Sequence, residues 1–422
     1  MSCTITVTFK PTTSGTINGT LSISDDSTDS PQQVSLSGFG FVPCRVQIKK
    51  TLSSPVVRSA LMTFGSANVP LPTGPSPVGT RVMHLIDPTR NDPFLENGSK
   101  RELMVRFWYP ATLLQACKPA EYTPASIWSY FSQLMRLPLP AVTTNSCQDS
   151  PVANGAHPVV VFTHGYTGTF TDYTFIFEDL ASRGYVVASV DHTYEATAVE
   201  FPDGRFVHSG FGSHLGKTLI EDKEALSLAL TVRLADLKFI RHELFRMNTT
   251  AHGPFAGKLN TTKVAVAGHS MGGLAASLGV QRDHGFRAGI ILDVHDGDVP
   301  DAIVRPTATP VLLLASGRKQ WTENECKLWS SLRGPRFAVN LEGAEHLTTS
   351  DAVWLARGAI KAGSMGPDKA VTAVREYIAT FLDANLLGKT PEPLLAGPSA
   401  DYPGAAVTTQ MQSLCGAEGS KP

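Results

Sequence analysis

The feature that most constrains this chain is a series of short, almost continuously apolar runs recurring through residues 79–388. They read VVVFTH (159–164), YVVASVDH (185–192), VAVAGH (264–269), GIILDV (289–294), PVLLLAS (310–316) and FAVNLEGAEH (337–346), preceded by RVMHLIDP and LMVRFWYP. Runs this short and this rich in β-branched residues suit strands covered on both faces. Helical periodicity fills the gaps. DYTFIFEDLASRG has apolar residues at helical spacing and stops at Gly184. Residues 217–247 string Leu219, Leu226, Leu230, Leu234, Leu237 and Leu244 along one long helix, and AVTAVREYIATFLDANLL closes the region. Strands alternating with helices predict an α/β fold, a mostly parallel sheet with helices on both faces. Ligands in such sheets bind beyond the carboxyl ends of the strands.

The flanks read differently. Residues 1–41 (TITVTFKP, TINGTLSIS, QQVSLSGFG) alternate with period two between Gly/Asn/Asp/Ser breaks, which predicts a short antiparallel β segment. Residues 42–78, with PLPTGPSPVG, read as a linker; 79–388 as the large domain; 389–422, rich in Pro, Gly and Ala, as a loose tail. Lys+Arg is 36 and Asp+Glu 37, so the net charge is -1. That balance argues against a nucleic-acid binder, which needs a basic excess, and against attachment to anionic lipid by charge. No apolar run reaches the length of a transmembrane helix, and Met1 to Lys10 lack the basic-then-apolar pattern of a secretory leader. The six cysteines form no CxxC pair and no Cys/His zinc spacing. Cys117 and Cys147 bracket one segment and are a candidate bridge, with two free thiols the equal alternative.

Gly268-His269-Ser270-Met271-Gly272 is a GxSxG pentapeptide between the strand VAVAG and the helical MGGLAASLGV. A strand that turns at once into a helix exposes the serine on a strained backbone and needs small neighbours two residues either side. A serine hydroxyl also needs a base. His346, where the last strand hands over to a loop, is the candidate base. The acid that orients it is Asp293, at a strand's carboxyl end; Asp296, Asp298, Glu323 and Glu325 are alternatives. An oxyanion hole needs two backbone N–H groups. Met271, after the serine, supplies one; Tyr166, after His164-Gly165 in VVVFTHGYTG, supplies the other. Tyr166, His269 and Trp128 are candidate substrate contacts. Trp128, Phe131, Leu134 and Met135 share one helical face of IWSYFSQLMRLPLP (127–140), as either a helix packed on the core or a patch beside the cleft.

From about Gly74 to Leu387 the chain resembles the type-II platelet-activating-factor acetylhydrolases of the α/β-hydrolase superfamily. The resemblance rests on GPSPVG (74–79), VVVFTHG (159–165), DLASRGYVVASVDH (179–192), VAVAGHSMGG (264–273), GIILD (289–293) and EH (345–346). It implies Ser270 as nucleophile, Asp293 as acid, His346 as base, and the Tyr166 and Met271 amides as oxyanion donors, with no cofactor and no metal. One stretch departs: GYTGT (165–169) looks like the oxyanion loop of bacterial cutinases and polyester hydrolases, which leaves phospholipid and polyester substrates both open. Residues 1–41 resemble part of the hydin-like immunoglobulin-type modules of bacterial surface and secreted proteins through CTITVTFKP, GTLSISDD and VSLSGFG.

The expectation is a serine esterase of short- to medium-chain acyl esters acting on a small-molecule or lipid ester. A cutinase-like polyester hydrolase or lipase is the runner-up. Two other classes compete. A metal-dependent hydrolase would gather His164, Asp191, His192, His295, Asp296 and Asp298 near strand ends. An inactive surface-binding module would use the N-terminal segment for surface association. The surface-module resemblance implies a secreted or periplasmic bacterial protein.

Overall fold

Val159 and Val161 are buried in one apolar cluster and Val160 and Phe162 in another. The same split runs through Val264 and Val266 against Ala265 and Ala267, and through Val311 and Leu313 against Leu312 and Leu314. Successive strand residues point to opposite faces, so a run apolar at every position must be covered on both. Each fully buried Val or Leu contributes roughly 1.5–3 kcal/mol, which is why these runs become the sheet's centre.

The computed structural model describes residues 2–9, 16–24, 30–39, 44–51, 66–112, 117–136, 138–209, 223–294, 304–317, 321–355, 363–390, 393–397, 399–402, 405–408 and 415. In the N-terminal part, β1 (Ser2–Phe9) pairs antiparallel with β4 (Cys44–Thr51), and β2 (Thr16–Ile23) with β3 (Gln32–Phe39). The large sheet begins with β5 (Ala67–Asn68), β6 (Val78–Asn91), β7 (Lys100–Pro110), β8 (Pro119–Glu121), helix α1 (Ala125–Met135) and β9 (Val142–Gln148). Then follow β10 (His157–Thr163), α2 (Thr174–Ser182), β11 (Val186–Asp191), the small hairpin β12 (Ala198–Glu200) and β13 (Phe206–His208), and α3 (Lys223–Thr249). Next are β14 (Leu259–His269), α4 (Met271–Arg282), β15 (Phe286–Leu292), β16 (Val311–Ser316), α5 (Glu323–Ser331), β17 (Arg336–Leu341), the short α6 (Ala352–Leu355), α7 (Pro367–Leu387) and β18 (Ala405–Thr408).

The strand order is β18-β17-β16-β15-β14-β10-β11-β7-β6-β9-β5, with β8 on β9. From β17 to β11 every pairing is parallel; β7 is antiparallel to its neighbours β11 and β6. The predicted strands and helices are present, and Gly184 (φ 104) terminates α2 as expected. The long helix is observed as Lys223–Thr249; residues 217–222 lie outside the described residues. The chain passes from β10 to β11 on one side and returns to β14 on the other, so the order reverses at β10. Crevices at such a reversal are where open α/β sheets bind ligands.

Two segments depart from expectation. Residues 42–78, read as a linker, include β4 and β5, and 73–76 are bonded to α2: the Thr73 amide and hydroxyl both donate to Asp179 Oδ1 at 2.8 Å, and the Gly74 amide donates to Ser182 Oγ at 2.9 Å. The tail, read as loose from 389, returns to the sheet. β18 pairs antiparallel with β17, the Tyr402 hydroxyl donates to Glu376 at 2.6 Å, and Cys415 is bridged to Cys326. Without β18 the backbone of β17 would be an open edge, which proteins tend to cover. Cys117 and Cys147 are also bridged, with Cα atoms 5.2 Å apart.

A buried ionic group ties α3 to the early strands. Asp236 meets Arg101 (2.8 Å), Arg90 (2.8 Å) and His192 (2.9 Å), and Arg101 also reaches Asp92 at 3.1 Å. Burial pushes the Asp236 carboxyl up, but the Arg101 charge and the bonds from His192 and Arg101 outweigh it and hold it below the usual range. Breaking one side of such a group leaves an uncompensated buried charge. Asp236→Asn is expected to lower unfolding free energy by about 3–5 kcal/mol, measured by urea denaturation.

Candidate active site

The site begins with what the strands place side by side. Thr163 pairs with Gly268, and His269 with Leu292. One step further, the Ser270 amide donates to the Leu292 carbonyl at 2.9 Å, and the Asp293 amide to the Leu314 carbonyl at 2.7 Å. The carboxyl ends of β10, β14, β15 and β16 therefore deliver 164–166, Ser270, Asp293 and Ser316 to one edge.

Ser270 has φ 55 and ψ -122, a conformation few side-chain-bearing residues adopt, and it caps α4. Such strain persists only where surroundings enforce it. The two glycines explain how it is enforced. A Cβ on Gly268 would run into the Gly272 backbone, and a Cβ on Gly272 into the Thr163 and His164 carbonyl oxygens. The start of α4 thus lies against the end of β10. Met271 is the first helical residue, and the first four N–H groups of a helix have no intrahelical acceptor. Across from it, 165–168 form a β-turn closed by the Gly168 amide on the Gly165 carbonyl at 3.1 Å, with Thr167 at φ 54. Tyr166 is the second residue of that turn, a position whose amide the turn does not use.

Asp293 and His346 are brought together: His346 Nδ1 lies 2.6 Å from Asp293 Oδ2. Asp293 is buried, while the His346 side chain is 31% exposed. The carboxylate accepts, so Nδ1 carries the proton and Nε2 is the nitrogen turned away from the acid. The other carboxylate oxygen, Oδ1, accepts from the Ser316 amide and hydroxyl, both at 2.8 Å. Glu325 instead belongs to a capping box with Thr322 at the start of α5, and Glu323 pairs with Lys327. Asp296 and Asp298 lie outside the described residues.

His269 differs from its expected role as a substrate contact. It is buried, its Nε2 sits 2.8 Å from the His346 carbonyl oxygen and its Nδ1 3.0 Å from the Tyr173 hydroxyl. Its ring lies tilted against that of His346, with centroids 4.5 Å apart. Both nitrogens face protein groups because residue 269 is the last of a central strand and points back into the sheet's cover. Trp128 is half-buried, donates its indole N–H to the Pro140 carbonyl at 2.9 Å and packs on Tyr122. Tyr122 in turn donates to Asp351 at 2.8 Å. Asp351 also accepts the amides of Thr174 (3.0 Å) and Phe175 (3.1 Å), which anchors the segment after His346 to the start of α2. Tyr166 is half-buried, and burial pushes its phenol up.

Of the residues weighed as metal ligands, His164, Asp191 and His192 are built into the core. His164 Nδ1 contacts the Gly165 carbonyl at 2.6 Å and its Nε2 accepts the His192 amide at 3.3 Å. His192 is bonded to Asp236 and to Thr163 Oγ1 (2.8 Å). Burial, then the Arg233 charge, lowers both imidazoles, His192 to about 3, so both stay neutral. His295 lies outside the described residues. Among the described residues, the group whose donor atoms converge like ligands is His269, Asp293 and His346, within 4.8 Å of one another. Those atoms already serve the contacts just given.

Sequence reading missed Ser316, Tyr173, Asp351 and Arg233. Ser316 ends the run PVLLLAS, so the strand-end logic that found Asp293 would have reached it. Tyr173, Asp351 and Arg233 act through contacts remote in sequence and left no local signal.

The family model described as platelet-activating factor acetylhydrolase, isoform II, matches residues 61–203 and 219–389. The chain belongs to this family. Among curated relatives, platelet-activating factor acetylhydrolase of Canis lupus familiaris is 28% identical over 243 residues, covering 50% of this chain and 52% of that protein. A protein of Arthroderma benhamiae named "Probable 1-alkyl-2-acetylglycerophosphocholine esterase" is 23% identical over 376 residues, covering 79% and 92%. The chain spans about half the length of the mammalian relatives it matches. Among solved structures, a ferulic acid esterase from Streptomyces cinnamoneus superposes with a TM-score of 0.68 at 28% identity, covering 81% of this chain and 99% of that one. The α/β-hydrolase fold is thereby established for this member of the acetylhydrolase family. The family match begins at residue 61, so the N-terminal strands lie outside it.

The glycine at 272 sets the geometry of the strand-to-helix turn at Ser270. Gly272→Ala is expected to destabilise by at least about 1–3 kcal/mol through overpacking, because the obstacles are backbone atoms that cannot rotate away. Urea denaturation of the variant beside Gly279→Ala, where the nearest atoms are side chains, measures it.

Proposed function

We propose that this chain is a serine hydrolase of carboxylic esters that works through an acyl-enzyme. The observation that carries the reading is the 2.6 Å contact between Asp293 and His346 beside a serine held at positive φ at a helix start. Ser270 Oγ attacks the ester carbonyl carbon while His346 Nε2 takes its proton. Asp293 keeps Nδ1 protonated and stabilises the imidazolium. The carbonyl oxygen becomes an oxyanion that accepts from the Tyr166 and Met271 amides. Collapse breaks the ester C–O bond, and the leaving alkoxide takes the proton from His346. Water then gives a proton to His346 and attacks the acyl carbon; the second tetrahedral species releases the acid and returns the proton to Ser270. No step calls for a metal or cofactor, and activity is expected to survive chelator.

Short- to medium-chain acyl esters are the proposed substrates, supported by membership of the acetylhydrolase family. The likeness to a ferulic acid esterase favours a second reading, an ester of an aromatic acid. Two disulfides support work outside a reducing cytosol, since such bonds persist in oxidising compartments; a secreted or periplasmic bacterial protein, associated with a surface through its N-terminal β segment, is the corresponding proposal. Among the described residues no helix is long and apolar enough to cross a membrane.

Ser270→Ala is expected to lower kcat about 10⁶-fold and Asp293→Asn about 10⁴-fold on p-nitrophenyl acetate. A fluorophosphonate should add its mass to the wild-type Ser270 peptide and not to the alanine variant. Rates on p-nitrophenyl esters from acetate to palmitate, beside methyl ferulate, separate short-acyl, lipase-like and aromatic-acid readings. Wild-type rates in Ser270→Ala would overturn the assignment.

A further inference from the structure

The oxyanion loop and the loop bearing His346 come from opposite ends of the domain's sequence, yet a chain of hydrogen bonds joins them inside the protein. The Gly165 amide lies 3.1 Å from the Tyr173 hydroxyl oxygen, that oxygen 3.0 Å from His269 Nδ1, and His269 Nε2 2.8 Å from the His346 carbonyl oxygen. The proton positions follow from the chemistry of the end groups. A carbonyl only accepts, so His269 Nε2 must carry a proton. In the neutral ring Nδ1 is then an acceptor, and the Tyr173 hydroxyl must donate to it. That leaves the phenol oxygen's lone pair to accept from Gly165. One arrangement satisfies every group.

The relay holds a specific peptide plane. The 164–165 peptide is gripped at its amide by Tyr173 and at its carbonyl by Arg233, which is buried and also bonded to Thr163 Oγ1 and Glu195. Gripped on both edges, this plane cannot rotate. The next peptide, which carries the Tyr166 amide, is held at its carbonyl by the Gly168 amide and His164 Nδ1, so the two planes together set the direction of that amide. At its other end the relay holds the backbone of His346 itself. The Tyr173 ring packs on Phe162 and Phe177, so the hydroxyl has little freedom to leave.

We propose that Tyr173 and His269 are positioning residues that lock the oxyanion donor at Tyr166 and the base His346 into one geometry. The Tyr173 hydroxyl and both ring nitrogens of His269 are bonded to protein groups; the two side chains act by fixing two groups whose relative placement must match the transition state. The inference rests on the esterase reading of Ser270, Asp293 and His346.

The experiment compares wild type with Tyr173→Phe, His269→Gln and the double variant on p-nitrophenyl acetate, with phenylboronic acid as a tetrahedral analogue and Ser270→Ala as control. Outright loss of an oxyanion donor costs about 10²–10³-fold, so misaiming one should lower kcat by about 10-fold or more with little change in KM. The boronate Ki should rise by the same factor as kcat/KM falls, and the double variant should lose no more than the worse single one. Circular dichroism reports the fold; if Tyr173→Phe does not fold, His269→Gln makes the same comparison. The inference is overturned if kcat/KM stays within twofold, if it falls while the boronate Ki is unmoved, or if the two losses multiply. A silent relay with an inactive Ser270→Ala sinks this inference alone; an active Ser270→Ala sinks the esterase reading and the relay with it.

Discussion

The contact on which the site depends is that between the start of the helix Met271–Arg282 and the end of the strand His157–Thr163. It is a backbone-to-backbone approach, with the Thr163 and His164 carbonyl oxygens occupying the space a Cβ on residue 272 would need. Glycine at 268 and 272 lets two segments meet at a distance no side chain allows. Everything else at the centre follows. Ser270 takes a positive φ, and the start of the helix lies against the end of the strand that leads into the 165–168 turn.

Polar groups surround this contact on both sides of the sheet. On one, Arg233, Glu195, His192 and Asp236 form a fully buried set that holds Thr163 and the His164 carbonyl. On the other, Tyr173, His269 and Asp351 connect the 165–168 turn, the end of the strand before Ser270 and the segment after His346. Buried polar groups are costly unless partnered, and when partnered they allow few alternative arrangements. A candidate site assembled from four strand ends benefits from that property more than from additional apolar contact.

The central strands were legible because their signal is local: a short, β-branched run apolar at every position suits a strand covered on both faces, as Val159 to Phe162 are. Ser270 was legible because GxSxG states a steric requirement within five residues. Asp293 and His346 became candidates through their places at strand ends and through the family resemblance, which membership bears out over residues 61–203 and 219–389. The edge was not legible. Ala405–Thr408 is four residues in a Pro/Gly-rich stretch, and its partner Leu341 lies far back in the chain, so neither pattern nor spacing announced the added strand or the Cys326–Cys415 bridge. His269 was misread for the same reason: residue type and proximity to Ser270 suggest substrate, whereas its ring is consumed by two groups brought in from 173 and 346.

By itself the sequence determined the alternation of strands and helices, the elbow, and the kinds of residue available at strand ends, because periodicity and steric exclusion act over a few neighbours. Only the tertiary structure decided which amides face one another, which oxygen of Asp293 holds His346 and which is held by Ser316, and that His269 serves the protein's interior. Those facts are set by strand register and loop closure between residues tens to hundreds apart, and a hydrogen bond is decided by angstroms that no local pattern encodes.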